Sequence, residues 1–365
     1  MKRDQSRRFA AGFIACLALA IAGVSLFNFV VDPLQVFRIP TLYKPAYFPG
    51  FQRFQYVGLA RNYEYDTVVI GSSLLENFIP SYINRSWGGV RTMKLAISGS
   101  TSYEQFLILR EALETGRVRS VIWGLDYGAF TRPRTWVRDD QAPFPYHMYR
   151  RPRFANIEYL YSLDTIGLSR AMLKGWGEHD LDQLDAWHAK ARFGEEITLK
   201  AWSGKCEDFA PAYRDGETAD EQEHREMRIA VEKNLAEVVR SHPRVTFYLF
   251  IPPVSILSHF PKRNLAGLIS FKRLVLNSLV DRENVRFHDF TVDTDAITDD
   301  LVNYKDAIHF SMGISEYVID AMGEGRHRVL RKDIEPNVRK LIDHVNDYDL
   351  CRSPRRRMTA SGPHQ

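Results

Sequence analysis

The longest apolar stretch lies at the start of the chain, where residues 9–31 form 23 consecutive positions without a charged side chain. As a helix such a run is about 34 Å long, enough to cross the hydrocarbon core of a bilayer with some tilt. Beyond it the pattern changes to short apolar runs alternating with amphipathic stretches. Buried strands are predicted at 67–70, closed by Gly71, and at 92–97, 120–125, 245–251 and 285–290; the fourth is stopped by Pro252-Pro253. A helix is predicted at 102–115, where Phe106, Leu109 and Leu113 recur at helical spacing before Gly116. Further helices are predicted at 221–240, 265–280 and 315–329. Apolar strands alternating with amphipathic helices imply an α/β fold with a mainly parallel five-stranded sheet covered on both faces, three layers in all. Such sheets bind ligands outside the carboxyl ends of their strands. Chemistry is therefore expected just after Ile70, Ile97, Leu125, Ile251 and Phe290.

Three segments break this rhythm. Residues 32–65 carry Pro33, Pro40, Pro45 and Pro49 and are read as an irregular juxtamembrane segment. Residues 130–220 are rich in Trp, Tyr and Arg and are read as a helical insertion within an α/β domain spanning 66–350. Residues 351–365 are basic, contain Pro and Ser, and are read as a disordered tail.

At 365 residues, with 45% hydrophobic and 26% charged positions, the chain is neither fibrous nor disordered and has ample length for a buried core. Its formal charge of +4 raises the question of nucleic acid. The charge sits at the ends: residues 1–8 carry +3, residues 351–365 carry +4, and the body between them carries −3. The body thus offers no basic groove, and no nucleic-acid partner is expected.

The charge distribution also orients the apolar run. Residues 1–8 are basic and Asp32 follows the run, which predicts a cytoplasmic N-terminal stub, a single-pass anchor at 9–31 and an extracytoplasmic body. This corresponds to a protein of the cell inner membrane with a periplasmic domain. The competing reading is a cleaved signal peptide, whose apolar core is about 7–15 residues before a small-residue cleavage site. Here the run is longer and ends in Phe27-Asn28-Phe29-Val30-Val31. Cys16 follows Arg8 too closely for a lipoprotein signal and is read as a membrane-buried thiol. Cys206 and Cys351 either pair in an oxidising compartment or stay as free thiols.

Four strand or loop ends carry chemistry. The first strand runs into Gly71-Ser72-Ser73, a strand-to-helix turn that exposes a hydroxyl and aims backbone N–H groups at an oxyanion bonded there. Its alternative is a helix N-cap serine. The second ends in Ser98-Gly99-Ser100, where glycine permits a close backbone approach and a second oxyanion donor, or merely a turn into a Ser/Thr-capped helix. After the third strand, Asp126 is a ligand, an orienter or an N-cap. Near the far end, Asp306 and His309 stand three apart in a turn before the last predicted helix. That spacing lets the carboxylate hold imidazole Nδ1–H while Nε2 takes a proton from a serine. A metal site of His288, Asp289, Asp306 and His309 lacks the tight spacing of a helix-borne motif, so no metal is expected, and no cofactor.

Taken in order, these blocks resemble the SGNH, or GDSL-like, hydrolase superfamily. The resemblance implies flavodoxin-like layering of the sheet. It implies Ser73 as nucleophile, Gly99 as oxyanion donor, His309 as base and Asp306 as the residue orienting it. Two positions depart from the family pattern: Ser72 replaces the usual Asp of the first block, and Asp126 replaces the usual Asn of the third. A carboxylate at Asp126 would repel a developing oxyanion, which leaves its role open. The single anchor and the terminal Asp-x-x-His also resemble members that assist O-acylation of envelope polymers beside a multi-span membrane acyltransferase.

The resulting expectation is a membrane-anchored serine esterase or O-acyltransferase acting on O-acyl esters, acetyl foremost, of an envelope or exported polysaccharide. Its partners would be the bilayer through 9–31, the acylated polymer or acyl donor, and a multi-span acyltransferase. The alternative expectation is an inactive SGNH-like glycan-binding or scaffold protein of a polysaccharide-modification complex, which Asp126 favours.

Overall fold

The computed structural model describes residues 2–41, 43–140, 142–149, 156–202, 204, 213–214, 216, 221–261, 263–292 and 297–348. Cys206, Cys351 and the tail at 351–365 lie outside the described residues. The first half of the chain forms α1 (Lys2–Val31), α2 (Gln52–Asn62), β1 (Thr67–Ile70), α3 (Pro80–Trp87), β2 (Thr92–Lys94), α4 (Ser102–Leu113), β3 (Ser120–Gly124), α5 (Ile157–Tyr161) and α6 (Leu163–Leu173). The second half forms α7 (Glu195–Ala201), α8 (Glu221–Ala230), α9 (Glu237–Ser241), β4 (Thr246–Ile251), α10 (Arg263–Leu279), β5 (Val285–Asp289), α11 (Met312–Gly323) and α12 (Ile334–Asp347). A π-helical turn, Val231–Ala236, joins α8 to α9.

Contacts divide the chain into two units, one of Met1–Glu64 with Asp140–Leu184 and one of Tyr65–Asp139 with Asp185–Gln365. The stretch 130–220, expected as one insertion, is thereby split. Its middle joins the N-terminal unit, while its later part is tied to the sheet unit by specific bonds: Gly194 N–H donates to Tyr304 C=O at 3.1 Å, and Thr198 Oγ1 donates to the same carbonyl at 2.7 Å.

In the N-terminal unit, α1 contains a segment, Gln5–Val31, long and apolar enough to cross a membrane, with an 18-residue stretch of mean hydropathy 2.4. The Asp32 carboxylate closes its end, accepting from the N–H groups of Val36, Phe37 and Arg38 and from the Tyr159 hydroxyl. Residues 32–65 are not irregular throughout. All four prolines precede residue 50, so nothing after them breaks a helix, and α2 forms. Gly58 within α2 is fixed by space, because a Cβ there would stand 2.4 Å from the Gln35 carbonyl oxygen.

The second unit is built on a five-stranded, all-parallel sheet in the order β2-β1-β3-β4-β5. The central strands β1, β3 and β4 are largely buried on both faces, which is why they read as continuous apolar runs, while the edge strand β5 carries Arg286, His288 and Asp289. On one face Val69, Ile122 and Phe250 pack with Phe78, with Ile83 of α3, and with Ile314, Val318 and Met322 of α11. On the other, Trp123 Nε1–H donates to Gln105 of α4 at 2.8 Å, and Lys272 of α10 meets the Asp289 carboxylate at 2.8 Å with both side chains fully buried.

The strands fall where apolar runs predict them, with the second ending earlier, at Lys94. Hydrogen bonds from Leu95 N–H to Val69 C=O and from Ile97 N–H to Gly71 C=O nevertheless carry that segment alongside β1 as far as the Ser98 turn. The helix expected at 315–329 is α11, shifted to Met312–Gly323, because Gly323 and Gly325 (φ +74°) end it. It is not the last helix: α12 follows, burying Ile334, Val338, Leu341, Ile342 and Val345 along one face.

Candidate active site

β1 delivers Ile70 to the carboxyl edge of the sheet, and Gly71-Ser72-Ser73 turns there into a short 3-10 helix, Ser73–Leu75. The turn is closed by Leu75 N–H donating to Ser72 C=O at 3.0 Å. It leaves Ser73 partly exposed while Ser72 is buried.

The second component arrives from the other end of the chain. Tyr304 and Phe310 form an antiparallel bridge, and Lys305 N–H donates to His309 C=O at 3.1 Å, so 304–310 is a closed loop. It is held to the segment after β4: the buried Tyr304 hydroxyl donates to Pro253 C=O at 2.6 Å, and Ser255 donates through both N–H and Oγ–H to Ala307 C=O. This scaffold sets His309 Nε2 2.8 Å from Ser73 Oγ and His309 Nδ1 2.8 Å from Asp306 Oδ2. The other carboxylate oxygen, Oδ1, accepts from the N–H groups of Ile308 (2.9 Å) and His309 (2.8 Å).

Burial alone would raise the Asp306 pKa, but the His309 hydrogen bond and charge, with the two backbone donors, overcome it and lower the value to about 2. The carboxylate therefore stays ionised and accepts from Nδ1–H. That leaves Nε2 as the acceptor for the Ser73 hydroxyl proton. Ser73 and, more than 230 positions later, His309 and Asp306 thus form one continuous hydrogen-bonded series.

The Ser98-Gly99-Ser100 turn lies beside the nucleophile turn: Ser100 Oγ donates to Gly71 C=O at 3.1 Å. Gly99 has φ +57°, and a Cβ on it would fall 2.2 Å from the Arg138 guanidinium. The backbone conformation therefore favours glycine, while the space could be made by a shift of the Arg138 side chain. Thr101 and Glu104 form a capping box that starts α4 directly after this turn.

Asp126 caps the 3-10 turn Tyr127–Phe130, its Oδ1 accepting from Gly128 N–H at 3.1 Å. Burial raises its pKa, opposed by Gly128 N–H, by the nearby Ser72 hydroxyl and by the charge of His309. The Ser72 hydroxyl itself is buried with no hydrogen bond inside bonding distance. Asp126 also lines a mostly apolar cavity of about 370 Å³ with Leu74, Leu125, Ile251, Val254 and Ile308, so it flanks residues adjacent to both Ser73 and His309.

Three residues reach the site without any motif to announce them. Trp187 Nε1–H donates to Ser73 C=O at 3.2 Å, and its ring meets the His309 ring edge-on at 5.5 Å. Asn77 positions that segment, its Oδ1 accepting from the N–H groups of Trp187 and His188, each at 3.1 Å. The Lys305 ammonium lies over the Trp187 ring, 3.9 Å from its centroid. Only the many aromatics of 130–220 hinted at such a contribution.

The four residues weighed for a metal are not brought together. His288 Nδ1 bonds to Arg326 C=O at 2.8 Å, and burial lowers its pKa to about 4, while Asp289 faces Lys272. Among the described residues no group of three or more His, Cys, Asp or Glu is placed to hold a metal ion.

No protein-family model matches this chain, and neither does any curated protein.

Proposed function

We propose that this chain is a membrane-anchored, extracytoplasmic serine esterase or O-acyltransferase of the SGNH type, with the three-layer arrangement that resemblance implies. The observation that carries the reading is the unbroken Ser73–His309–Asp306 series with both links at 2.8 Å. Its position at the carboxyl edge of a parallel sheet, where such folds place ligands, supports it further.

In this reading His309 Nε2 takes the Ser73 hydroxyl proton as Oγ attacks an ester carbonyl. The N–H groups of Ser73 and Gly99 hold the tetrahedral oxyanion. The oxyanion collapses, the bond to the leaving alkoxide breaks, and His309 returns the proton to that oxygen, leaving an acyl-Ser73 enzyme. Water then completes hydrolysis, or a sugar hydroxyl completes transfer, with His309 as base again. The substrate class is an O-acyl ester of an envelope polysaccharide. A multi-span acyltransferase is the natural partner for the transfer reaction. In this reading the N-terminus is cytoplasmic and the sheet unit periplasmic, which the basic stub at 1–8 ahead of the apolar run at 9–31 supports.

The reading is tested by treating the full-length protein with a fluorophosphonate probe. A single covalent adduct is expected on the peptide containing Ser73, and none after Ser73→Ala. Absence of an adduct from a protein that has kept its fold would favour the second reading, a non-catalytic glycan-binding or scaffold protein.

Asp126 is the observation that favours that second reading, and it yields its own prediction. Asn keeps the Gly128 cap and replaces a repelling carboxylate with a neutral amide donor. Asp126→Asn is therefore expected to raise kcat/KM for p-nitrophenyl acetate about tenfold where the wild-type carboxyl is ionised, the value of one added hydrogen bond of roughly 1.4 kcal/mol. Steady-state rates for both proteins across a pH series check this. Because burial raises the Asp126 pKa, the advantage should shrink as pH falls and the wild-type carboxyl becomes protonated.

A further inference from the structure

One face of the last turns of α1 is packed, whereas its earlier part is bare. Residues 5–23 of α1 are exposed, while Val24, Ser25 and Phe27 are partly covered and Asn28 is fully buried. The cover comes from α5 and α6 of the same unit. Asn28 shows how specific it is: its Nδ2 donates to the carbonyls of Leu160 (2.8 Å) and Ser162 (3.3 Å), and its Oδ1 accepts from Ser169 Oγ (3.0 Å).

The depth of this packing follows from helix geometry. A hydrocarbon core of about 30 Å takes 20 residues at about 1.5 Å each, so a span starting at Phe9 ends near Asn28. Packing over 24–28 then reaches roughly 6 Å inside that boundary, the depth at which interfacial helices bury their apolar faces. An amide at this level must be satisfied by protein, because lipid offers no donors or acceptors, and α5, α6 and the Ser162 junction between them supply all three partners.

The same two helices expose apolar side chains of a kind that water does not favour. Leu163 is 79% exposed and Ile157 59%, and Tyr161 and Leu173 join them. Arg170 and Lys174 are exposed on the same segment and are available to lipid phosphates, with Glu158 and Asp164 exposed toward its other end. At the helix exit the Arg38 guanidinium donates to the carbonyls of Phe29 and Val30 and lies 4.7 Å from the Phe29 ring centroid, a cation stationed at the same level.

We propose that α5 and α6 form a second, monotopic membrane element, seated in the leaflet at the Val31 end of α1 through Ile157, Tyr161, Leu163 and Leu173. The occupant of this apolar surface is the bilayer itself, continuous with the lipid around α1. The proposal rests on reading α1 as a membrane span.

The test uses the full-length chain in nanodiscs of phosphatidylcholine and phosphatidylglycerol. The photoreactive residue p-benzoylphenylalanine replaces Leu163 in one sample and Leu17 in another. Both positions are exposed, so the substitutions leave the packing intact. After irradiation, phospholipid adducts are expected at both sites by peptide mass spectrometry. Adducts at Leu17 with none at Leu163 overturn the proposal while leaving the anchor in place, and would assign the surface to a protein partner. Adducts at neither site overturn the membrane reading and the proposal with it.

Discussion

Ser73→Ala is expected to lower kcat/KM for p-nitrophenyl acetate by at least about 1,000-fold, since removing the nucleophile of a Ser-His-Asp set leaves only binding and oxyanion stabilisation. The substitution removes one partly exposed oxygen and little else. The Ser73 carbonyl still accepts from Trp187 Nε1–H, Glu76 N–H still bonds back to it at 3.3 Å, and the core beneath, with Leu74, Leu75 and Phe78, is untouched. Thermal unfolding should therefore match the wild type, which separates loss of chemistry from loss of fold. Steady-state kinetics on both proteins decide the matter: a residual rate within about threefold of wild type would mean that Ser73 is not the attacking group. His309→Ala should give a loss of the same order, and the double variant little more, because the two act as one unit and their effects do not add.

The sheet was far more legible than the site. Four of the five strands begin and end within a residue of their predicted limits; β1, β3 and β4 are unbroken apolar runs, the first stopped by Gly71 and the last by Pro252, whereas the edge strand β5 alternates Val, Arg, Phe, His and Asp. The second strand, at the sheet edge, is the less regular one. Residues 52–62 were missed as a helix because four preceding prolines coloured the whole segment, though none lies inside it. The Asp306-to-His309 spacing was readable because its geometry is local: a three-residue separation in a turn places Nδ1 on the carboxylate. The link from His309 to Ser73 spans 236 positions, and only the order of blocks along the chain hinted at it. Trp187 was readable only as one of many aromatics in 130–220. Its role depends on Asn77 gripping two backbone N–H groups about 110 positions away, a contact with no periodicity or spacing to betray it. Composition alone also does not show that chain contacts divide 130–220 between the two units.

Asp306→Asn is expected to lower kcat/KM by about 10²- to 10⁴-fold with the backbone unchanged, for a reason specific to this loop. The carboxylate uses both oxygens: Oδ1 accepts from Ile308 and His309 N–H, and Oδ2 accepts from His309 Nδ1–H. An amide has one acceptor. Two backbone donors claim its oxygen, so its NH2 turns to His309 Nδ1, which must then be unprotonated. The proton moves to Nε2, which becomes a donor toward Ser73 Oγ and can no longer receive the serine proton. The variant thus keeps every residue in place and holds the imidazole in the wrong tautomer. Fluorophosphonate labelling of Ser73 should slow in step with the turnover rate, and labelling at the wild-type rate would refute the assignment of Asp306. The same substitution carries a stability signature whose sign follows from the ionisation. The folded-state pKa of Asp306, about 2, lies below the ordinary 3.8, so the carboxylate stabilises the fold fully above pH about 4, and this contribution is lost as pH falls toward 2. With the side chain 32% exposed, the stabilisation is of order 1–2 kcal/mol. Asp306→Asn should accordingly unfold at lower denaturant concentration than wild type at pH 7, and the gap should close in titrations carried down to pH 2.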